Sequence, residues 1–185
     1  MTAFRLHLLR HGEPERTGRM LGRTDSPATA AGIAACVARA GGLSVARRIA
    51  SDLSRARACA EAIGPTEVDA RWRELDFGDW DGLAPASIDP AALGRFWDDP
   101  DAAAPPGGER WSDLVARVGA AIAELPPEPT LIVTHGGAMR AALHVLCGFD
   151  VRTVWAFTLP YASLLTLDVW DGAPRAGQVS GLVTA

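Results

Sequence analysis

Short apolar runs alternate along the chain with longer segments in which apolar residues recur at helical spacing. The apolar runs have strand length, and Gly or Pro often follows the helix-like segments. The predicted strands cover residues 6–9, 45–50, 66–69, 130–134 and 162–169. The predicted helices cover residues 29–40, 54–63, 91–97, 111–125 and 138–147. This alternation predicts one three-layer α/β domain over residues 1–185, with a mostly parallel β-sheet and helices on both faces.

The regular alternation fails between residues 76 and 108, where Gly, Pro and Asp accumulate around the short predicted helix. A long irregular stretch inside a compact domain is more often a binding loop than a linker. We therefore expect the 76–108 segment to cover a pocket as a lid.

Two of the predicted strands end in a histidine that is followed by glycine. The strand at 6–9 runs into Arg10 and His11, and the strand at 130–134 runs into His135. A single histidine is more often a hydrogen-bonded structural residue than a catalytic one. In an α/β sheet, however, ligands bind beyond the carboxyl ends of the strands. The pair of strand ends therefore predicts that both imidazoles meet in one pocket.

Two further features give this pocket the character of an anion site. Arg55 lies just past the end of the strand at 45–50. The helix expected after His135 presents N-terminal amides, which favour an anion. Two arginines, Arg10 and Arg55, together with two imidazoles and a helix N-terminus, match the charge and donor geometry of a phosphate group.

Composition and charge exclude several other classes of protein. The 185 residues are 48% hydrophobic and 22% charged, which is typical of a folded globular protein. All 18 basic residues are arginine, and the net charge of -4 argues against general nucleic-acid binding. No apolar run reaches the roughly 18 residues that span a bilayer, and the first residues do not resemble a signal peptide. We expect a cytoplasmic protein without a nucleic-acid or membrane partner, and the sequence indicates no particular oligomeric state.

The cysteines and histidines do not form a metal-binding pattern. Cys36, Cys59 and Cys147 are far apart and include no C-x-x-C pair, so we interpret them as buried free thiols. No suitably spaced third ligand accompanies His11 and His135. The sequence therefore predicts no metal site.

Five motifs occur in the order that characterises one family. They lie at residues 9–13, 22–27, 51–56, 73–82 and 133–137. Together they resemble the histidine phosphatase superfamily, the phosphoglycerate mutase-like proteins, over nearly the whole chain.

This resemblance implies a metal-independent and cofactor-independent phosphomonoesterase that acts through a phosphohistidine. His11 would be the nucleophile that accepts the phosphoryl group, and water would then cleave the phosphohistidine. Arg10, Arg55 and His135 would bind the phosphoryl oxygens, whose negative charge persists in the transition state. Glu74 matches the position of the family's proton donor to the leaving oxygen.

The first loop departs from the family's pattern. Many members carry an asparagine phosphate ligand six residues after the nucleophilic histidine, and Thr17 takes that place here. The hydroxyl of Thr17 is one candidate for the missing contact. Arg16 and Arg23 are alternatives.

The sequence indicates the substrate less precisely than it indicates the reaction. Residues 96–100, 105–109 and 154–157 resemble segments of α-ribazole-5'-phosphate phosphatases, which act in assembly of the cobalamin nucleotide loop. A broad-specificity phosphatase of small sugar or metabolite phosphates is an alternative. So is a binding module without catalysis, whereas a mutase is disfavoured because phosphoglycerate mutases are longer.

The six tryptophans bear on the choice of substrate, because an aromatic pocket would suit a flat leaving group. We interpret Trp72, Trp155 and Trp170 as core or sheet-edge residues because they lie in or beside strand-like segments. A second group lies in or beside the irregular segment and could line a pocket for a flat leaving group, although core packing is the safer interpretation. This group consists of Trp80, Trp97 and Trp111.

Overall fold

The computed structural model describes residues 3–184, which contain one six-stranded sheet. The strands are β1 (Ala3–Arg10), β2 (Arg47–Ala50), β3 (Glu67–Val68), β4 (Thr130–Thr134), β5 (Leu164–Trp170) and β6 (Ala176–Val183). Their order across the sheet is β3-β2-β4-β1-β5-β6. The four strands from β3 to β1 run parallel, and β5 and β6 continue the sheet antiparallel.

The register of the two central strands sets the position of both histidines. Arg10 at the end of β1 lies opposite Thr134 at the end of β4. The backbone N–H of His11 then donates to the carbonyl of Thr134 across a distance of 2.9 Å. The chain therefore leaves the two neighbouring strands at the same level, and the next residue on each strand is a histidine.

Helices cover both faces of the sheet, which confirms the predicted three-layer α/β domain. The helices are α1 (Ala30–Ala40), α2 (Ser54–Ile63), α3 (Pro90–Asp98), α4 (Trp111–Glu124) and α5 (Gly136–Cys147). On one face, Leu9 and Val133 belong to the apolar cluster that contains Cys36 of α1 and Cys59 of α2. On the other face, Leu8 packs in the cluster that contains α4 and α5. Within residues 3–184, no helix is both long and apolar enough to cross a membrane.

The last strand was not predicted because its sequence lacks a strand pattern. β6 contains Gly177 and Gly181 and is mostly exposed, so it shows no apolar alternation. It forms by antiparallel pairing with β5, in which backbone groups supply the hydrogen bonds. A Cβ at Gly177 would lie 3.1 Å from Leu146 of α5, so the small residue also allows the helix to approach the sheet.

The irregular 76–108 segment packs against the rest of the domain, and its role as a lid stays a prediction. It contains 3₁₀ turns at Gly78–Trp80 and Pro85–Ser87, followed by α3. Phe96 of α3 is 1% exposed, and its ring contacts Trp80 edge-on at 5.8 Å between centroids. Full burial of such a ring stabilises a fold by about 2–3 kcal/mol, so the segment is anchored in the core.

Two of the three cysteines lie behind the loop that carries His11. Cys36 and Cys59 are buried free thiols, whereas Cys147 is only half-buried. The backbone N–H of Gly12 donates to the Sγ of Cys59 at 3.4 Å. Cys36 and Cys59 are thus small packing residues that support the strand end, whereas the prediction of burial was wrong for Cys147.

Candidate active site

His11 and His135 lie side by side at the carboxyl edge of the sheet. Their ring centroids are 4.9 Å apart, and both side chains are buried. Tyr161, which precedes β5, packs against His11 with ring centroids 5.5 Å apart. The structure therefore brings together the two imidazoles that the strand ends predict.

The tautomer of His11 follows from one hydrogen bond. The Nδ1 of His11 lies 2.7 Å from the carbonyl oxygen of Gly12. Because a carbonyl only accepts, Nδ1 must carry the hydrogen. In the neutral ring, Nε2 then holds a lone pair, which is what a nucleophile needs.

The hydrogen bonds of His135 are compatible with a ring hydrogen on Nδ1. The hydroxyl of Ser51 accepts from the backbone N–H of Leu53 and lies 2.9 Å from the Nε2 of His135. We assign the hydrogen of this hydroxyl to Nε2, which leaves the ring hydrogen on Nδ1. That Nδ1 is buried and has no hydrogen-bond partner within residues 3–184. In this tautomer it is a donor available to an anion.

Burial and positive charge keep both imidazoles neutral. Desolvation, followed by the charges of Arg55 and Arg10, lowers the pKa of His11 well below its ordinary value of 6.5. Desolvation and the charge of Arg55 also lower the pKa of His135 well below that value. At neutral pH, His11 is therefore unprotonated and able to attack.

Two arginines present further unpartnered donors to this site. Arg55 at the start of α2 is fully buried and donates through its Nη atoms to the carbonyls of Leu21, Gly22 and Thr24. Arg10 donates to the carbonyl of Leu159, and its guanidinium lies 4.3 Å from the ring centroid of Tyr161.

These contacts fix both guanidinium groups in position. The Nε of Arg10 and the Nε of Arg55 nevertheless remain buried without partners among residues 3–184. A buried donor without an acceptor costs about 1–3 kcal/mol, so the site favours an anion that accepts from these groups.

Glu74 occupies the N-terminus of α5, where the sequence suggested that phosphate would bind. Its Oε1 accepts from the backbone N–H of Gly137 at 2.9 Å and from that of Leu75 at 2.9 Å. A carboxylate is stabilised at a helix N-terminus for the same electrostatic reason as a phosphate. The helix thus holds the candidate acid beside His135, which is the residue at the N-cap position of α5.

A partly buried ion pair fixes the segment that carries Glu74. Arg117 of α4 pairs with Glu109 at 2.6 Å. It also donates to the carbonyls of Arg71, Arg73 and Glu74. The sequence gave no indication that Arg117 holds this segment, because its position is that of an ordinary polar residue on an amphipathic helix.

An inner cavity of about 270 Å³ opens next to Glu74 and Arg10. Its aromatic and apolar lining comes from several elements and includes Leu75, Phe77, Phe96, Trp97, Pro100, Trp111, Leu114 and Trp155. The pocket tryptophans are thus Trp97 and Trp111 from the predicted group, whereas Trp80 is buried in the core. The assignment of Trp155 to the core or a sheet edge was wrong. It lies on the 3₁₀ turn Thr153–Ala156 and is 38% exposed.

Arg140 is a cationic residue of this cavity that sequence reasoning missed. Its guanidinium lies 4.2 Å from the ring centroid of Trp155, and its Nη atoms donate to the carbonyls of Gly136 and Phe157. Its Nε is buried without a partner, and no carboxylate within residues 3–184 forms an ion pair with it. The available signal was spacing, since residue 140 follows residue 136 by one helical turn.

Comparison with known proteins places this site in a family. Residues 6–180 match the sequence profile described as "Histidine phosphatase superfamily (branch 1)". The chain belongs to the histidine phosphatase superfamily. Both the predicted family and the predicted fold are thereby confirmed.

Individual members of the histidine phosphatase superfamily are similar over most of their length. A glucosyl-3-phosphoglycerate phosphatase of Mycobacterium tuberculosis is 35% identical over 165 residues, which are 76% of this chain and 74% of that protein. A 2,3-bisphosphoglycerate-dependent phosphoglycerate mutase of Methylobacterium sp. is 31% identical over 194 residues, covering 91% and 88%. A native structure of a mycobacterial glucosyl-3-phosphoglycerate phosphatase has a TM-score of 0.86 at 31% identity, covering 96% and 97%. The family match and the similarity to the phosphatases confirm the expectation of a phosphoric monoester hydrolase.

The first loop lacks a clear replacement for the superfamily's asparagine ligand. Thr17 is exposed, and Arg23 pairs through its guanidinium with Asp76 at 3.2 Å. Contacts of Thr17 and Arg23 with a phosphate stay predictions. The buried donors of Arg10, Arg55 and His135 form the cluster that the structure does show around His11.

Replacement of Gly137 by alanine is expected to reduce kcat about 10²-fold, because a small displacement of a catalytic group has an effect of that size. A Cβ at position 137 would lie 2.1 Å from the Oε1 of Glu74, so the carboxylate must move. Gly119→Ala in α4 is the matched control, since its Cβ would lie 3.6 Å from Val145. Steady-state kinetics of both variants check the prediction. A wild-type kcat for Gly137→Ala would show that this position of Glu74 is not needed.

The depressed pKa values of His11 and His135 predict loss of stability in acid. Above pH 6.5 both rings are neutral in the folded and the unfolded chain, so they contribute nothing. Below pH 6.5 the unfolded chain binds protons that the folded chain does not. The free energy of unfolding then falls by up to about 1.4 kcal/mol per pH unit for each ring.

Urea unfolding between pH 7.5 and 5 measures this dependence. The double variant His11→Gln/His135→Gln should have a flatter pH profile than the wild type, because glutamine does not titrate. Parallel profiles for the two proteins would mean that the rings are not held neutral by the fold.

Proposed function

We propose that the protein hydrolyses a phosphomonoester through a phosphohistidine on His11. The observation that carries this proposal is a neutral, buried imidazole with a free Nε2, surrounded by donors without acceptors. Those donors are the Nε of Arg10, the Nε of Arg55 and the Nδ1 of His135. A tetrahedral dianion can accept from all three while its phosphorus faces Nε2 of His11.

In the first step, Nε2 of His11 bonds to phosphorus as the bond from phosphorus to the ester oxygen breaks. The leaving oxygen takes a proton from Glu74, which faces the cavity beside it. The products of this step are the alcohol, phosphohistidine and a Glu74 carboxylate.

In the second step, water attacks the same phosphorus and the bond to Nε2 breaks. Glu74 accepts the proton of the attacking water and so returns to its starting form. His11 leaves as the neutral tautomer that its hydrogen bond to Gly12 selects. The positive charge that a phosphoryl group needs comes from the two guanidinium groups.

The phosphatase reaction is favoured over the mutase reaction. A mutase must hold its substrate while the phosphoryl group returns to a second hydroxyl. The glucosyl-3-phosphoglycerate phosphatases support hydrolysis at 33–35% identity, compared with 31% for the phosphoglycerate mutase. Water is therefore the proposed acceptor.

The inner cavity favours a leaving group that carries an acid. Arg140 is half-buried there without a carboxylate partner, and it flanks Gly136 together with Arg10. A single cation is best neutralised by a single carboxylate, which an arginine binds through two N–H groups. We therefore propose a phosphorylated hydroxy acid of the phosphoglycerate type. The names of the mycobacterial relatives support this choice.

A second candidate substrate is α-ribazole-5'-phosphate, as the sequence resemblance suggested. The observation that favours it is the aromatic lining of the inner cavity, including Trp97 and Trp155. Its leaving group is not an acid and would leave Arg140 without a partner. A broad-specificity phosphatase and a non-catalytic phosphate-binding module are the further alternatives.

Phosphate release from a panel of esters tests these proposals. The panel contains 3-phosphoglycerate, glucosyl-3-phosphoglycerate, α-ribazole-5'-phosphate and a chromogenic aryl phosphate, each with excess chelator. We expect release that persists with chelator and is greatest for the acidic esters. A preference for the riboside would favour the cobalamin role, and flat activity would indicate a general phosphatase. No hydrolysis of any ester would refute the enzymatic proposal and favour a binding module.

A further inference from the structure

A second hollow lies outside the inner cavity, on the other side of a pair of tryptophans. This outer hollow has a volume of about 730 Å³ and is lined by Trp97, Asp98, Val151, Arg152 and Trp155. Trp97 and Trp155 also line the inner cavity, so the two indoles separate the hollows. Because the rings are in edge-to-face contact, a leaving group that extends beyond the inner cavity reaches the outer hollow over their exposed edges.

The inner cavity is too small for a large leaving group. Its volume of about 270 Å³ lies below the range of roughly 300–1,000 Å³ that is typical of sites for drug-sized ligands. A short acid such as glycerate fits this space. A substituent on that acid, such as a sugar ring, needs the additional room outside the indoles.

The two indoles offer apolar surface without forming a slot for a flat ring. Their planes are perpendicular, with centroids 5.0 Å apart, and each side chain is more than a third exposed. Arg140 stacks on the ring of Trp155, so part of that indole is already covered. A flat heteroaromatic base cannot be sandwiched between perpendicular rings, whereas the C–H face of a sugar needs only one indole surface.

Polar groups of the outer hollow suit hydroxyl groups. Asp98 and Arg152 are exposed, and neither forms an ion pair with another residue among 3–184. A carboxylate accepts from two hydroxyls and a guanidinium donates to several, so both can bind neighbouring hydroxyls of one ring. An apolar face flanked by such groups is the pattern of a small-molecule subsite.

We propose that the outer hollow is a sugar-binding subsite that takes a glycosyl substituent on the leaving group of the phosphate ester. The sugar packs on the exposed indole of Trp97, and Asp98 and Arg152 hydrogen-bond its hydroxyls. This inference rests on the proposed phosphatase function. It adds that the substrate is a glycosylated hydroxy-acid phosphate rather than the hydroxy-acid phosphate alone.

The test is the ratio of kcat/KM for glucosyl-3-phosphoglycerate to kcat/KM for 3-phosphoglycerate. We expect the wild type to favour the glycosylated ester by at least about tenfold, which corresponds to about 1.4 kcal/mol. Asp98→Ala, Arg152→Ala and Trp97→Ala should each lower this ratio, by up to about tenfold, and Trp97→Phe should restore part of it. Asp113→Ala, an exposed carboxylate of α4 outside the hollow, should leave the ratio unchanged.

Three outcomes would overturn the sugar subsite. One is a wild-type ratio near one, and another is a ratio that none of the hollow variants changes. The third is preference for α-ribazole-5'-phosphate over the glycosylated ester, with that preference lost in Trp97→Ala, because the hollow would then take a flat base. Hydrolysis of the aryl phosphate that depends on His11 distinguishes these failures from failure of the phosphatase proposal itself.

Discussion

His11→Ala is expected to lower kcat/KM for every phosphomonoester by at least about 10⁴-fold, because removal of a nucleophile eliminates the covalent route. The neighbouring donors of Arg10, Arg55 and His135 remain in the variant. Phosphate binding should therefore survive while turnover is lost. Steady-state kinetics, together with calorimetric titration of inorganic phosphate, measures both quantities.

His7→Gln, which removes a histidine within β1, is the control for loss of His11 just after that strand. His7 lies four residues before His11, about 13 Å away along the strand, and its Nδ1 is 3.0 Å from the hydroxyl of Thr166. This variant should keep its activity within about twofold, as expected for a substitution remote from the site. Turnover by His11→Ala at a rate close to the wild type would eliminate His11 as the nucleophile.

Glu74→Gln is expected to reduce kcat by about 10²–10⁴-fold, which is the usual contribution of a general acid and base. The substitution should slow the first step for alkyl esters but not for aryl esters. A phenolate is a stable anion and leaves without a proton, so the first step with an aryl phosphate survives the substitution. The second step still needs a base for water. The variant should release about one equivalent of phenol in a burst and then turn over slowly, whereas an alkyl ester should give no burst.

Asp79→Asn is the control for this carboxylate. Asp79 lies in the same acidic stretch as Glu74 but is exposed, and Glu74 is held by the amides of Leu75 and Gly137. Asp79→Asn should have wild-type kinetics. If Asp79→Asn loses activity and Glu74→Gln does not, the assignment of the acid is wrong.

Local patterns were sufficient for most of the fold because the central elements have strong periodicity and clear ends. Predicted boundaries for α2 and β4 agree with the observed Ser54–Ile63 and Thr130–Thr134. By contrast, α5 begins at Gly136 rather than near residue 138, because glycine has low helix propensity and hides the first turn. β6 was missed because an edge strand of this composition forms through pairing with β5 rather than through apolar alternation.

The reacting groups were easier to predict than the groups that surround the leaving group. His11 and His135 end adjacent strands, and that relation is visible in the sequence. Arg140 and Trp155 meet only through packing of α5 against the Thr153–Ala156 turn, which no local pattern encodes. The helix N-terminus binds the predicted kind of group, an anion, but this anion is the carboxylate of Glu74, which the fold brings there from the segment after the Ala70–Trp72 turn.

The most direct test of the account is to trap the phosphoenzyme in Glu74→Gln with an aryl phosphate. In this variant the first step proceeds and the second is slow, so a covalent phosphoryl group should accumulate. Quenching in base, which preserves phosphohistidine, followed by peptide mapping should place one phosphoryl group on Nε2 of His11. Phenol release without a labelled protein, or a label on any other residue, would contradict the proposed mechanism.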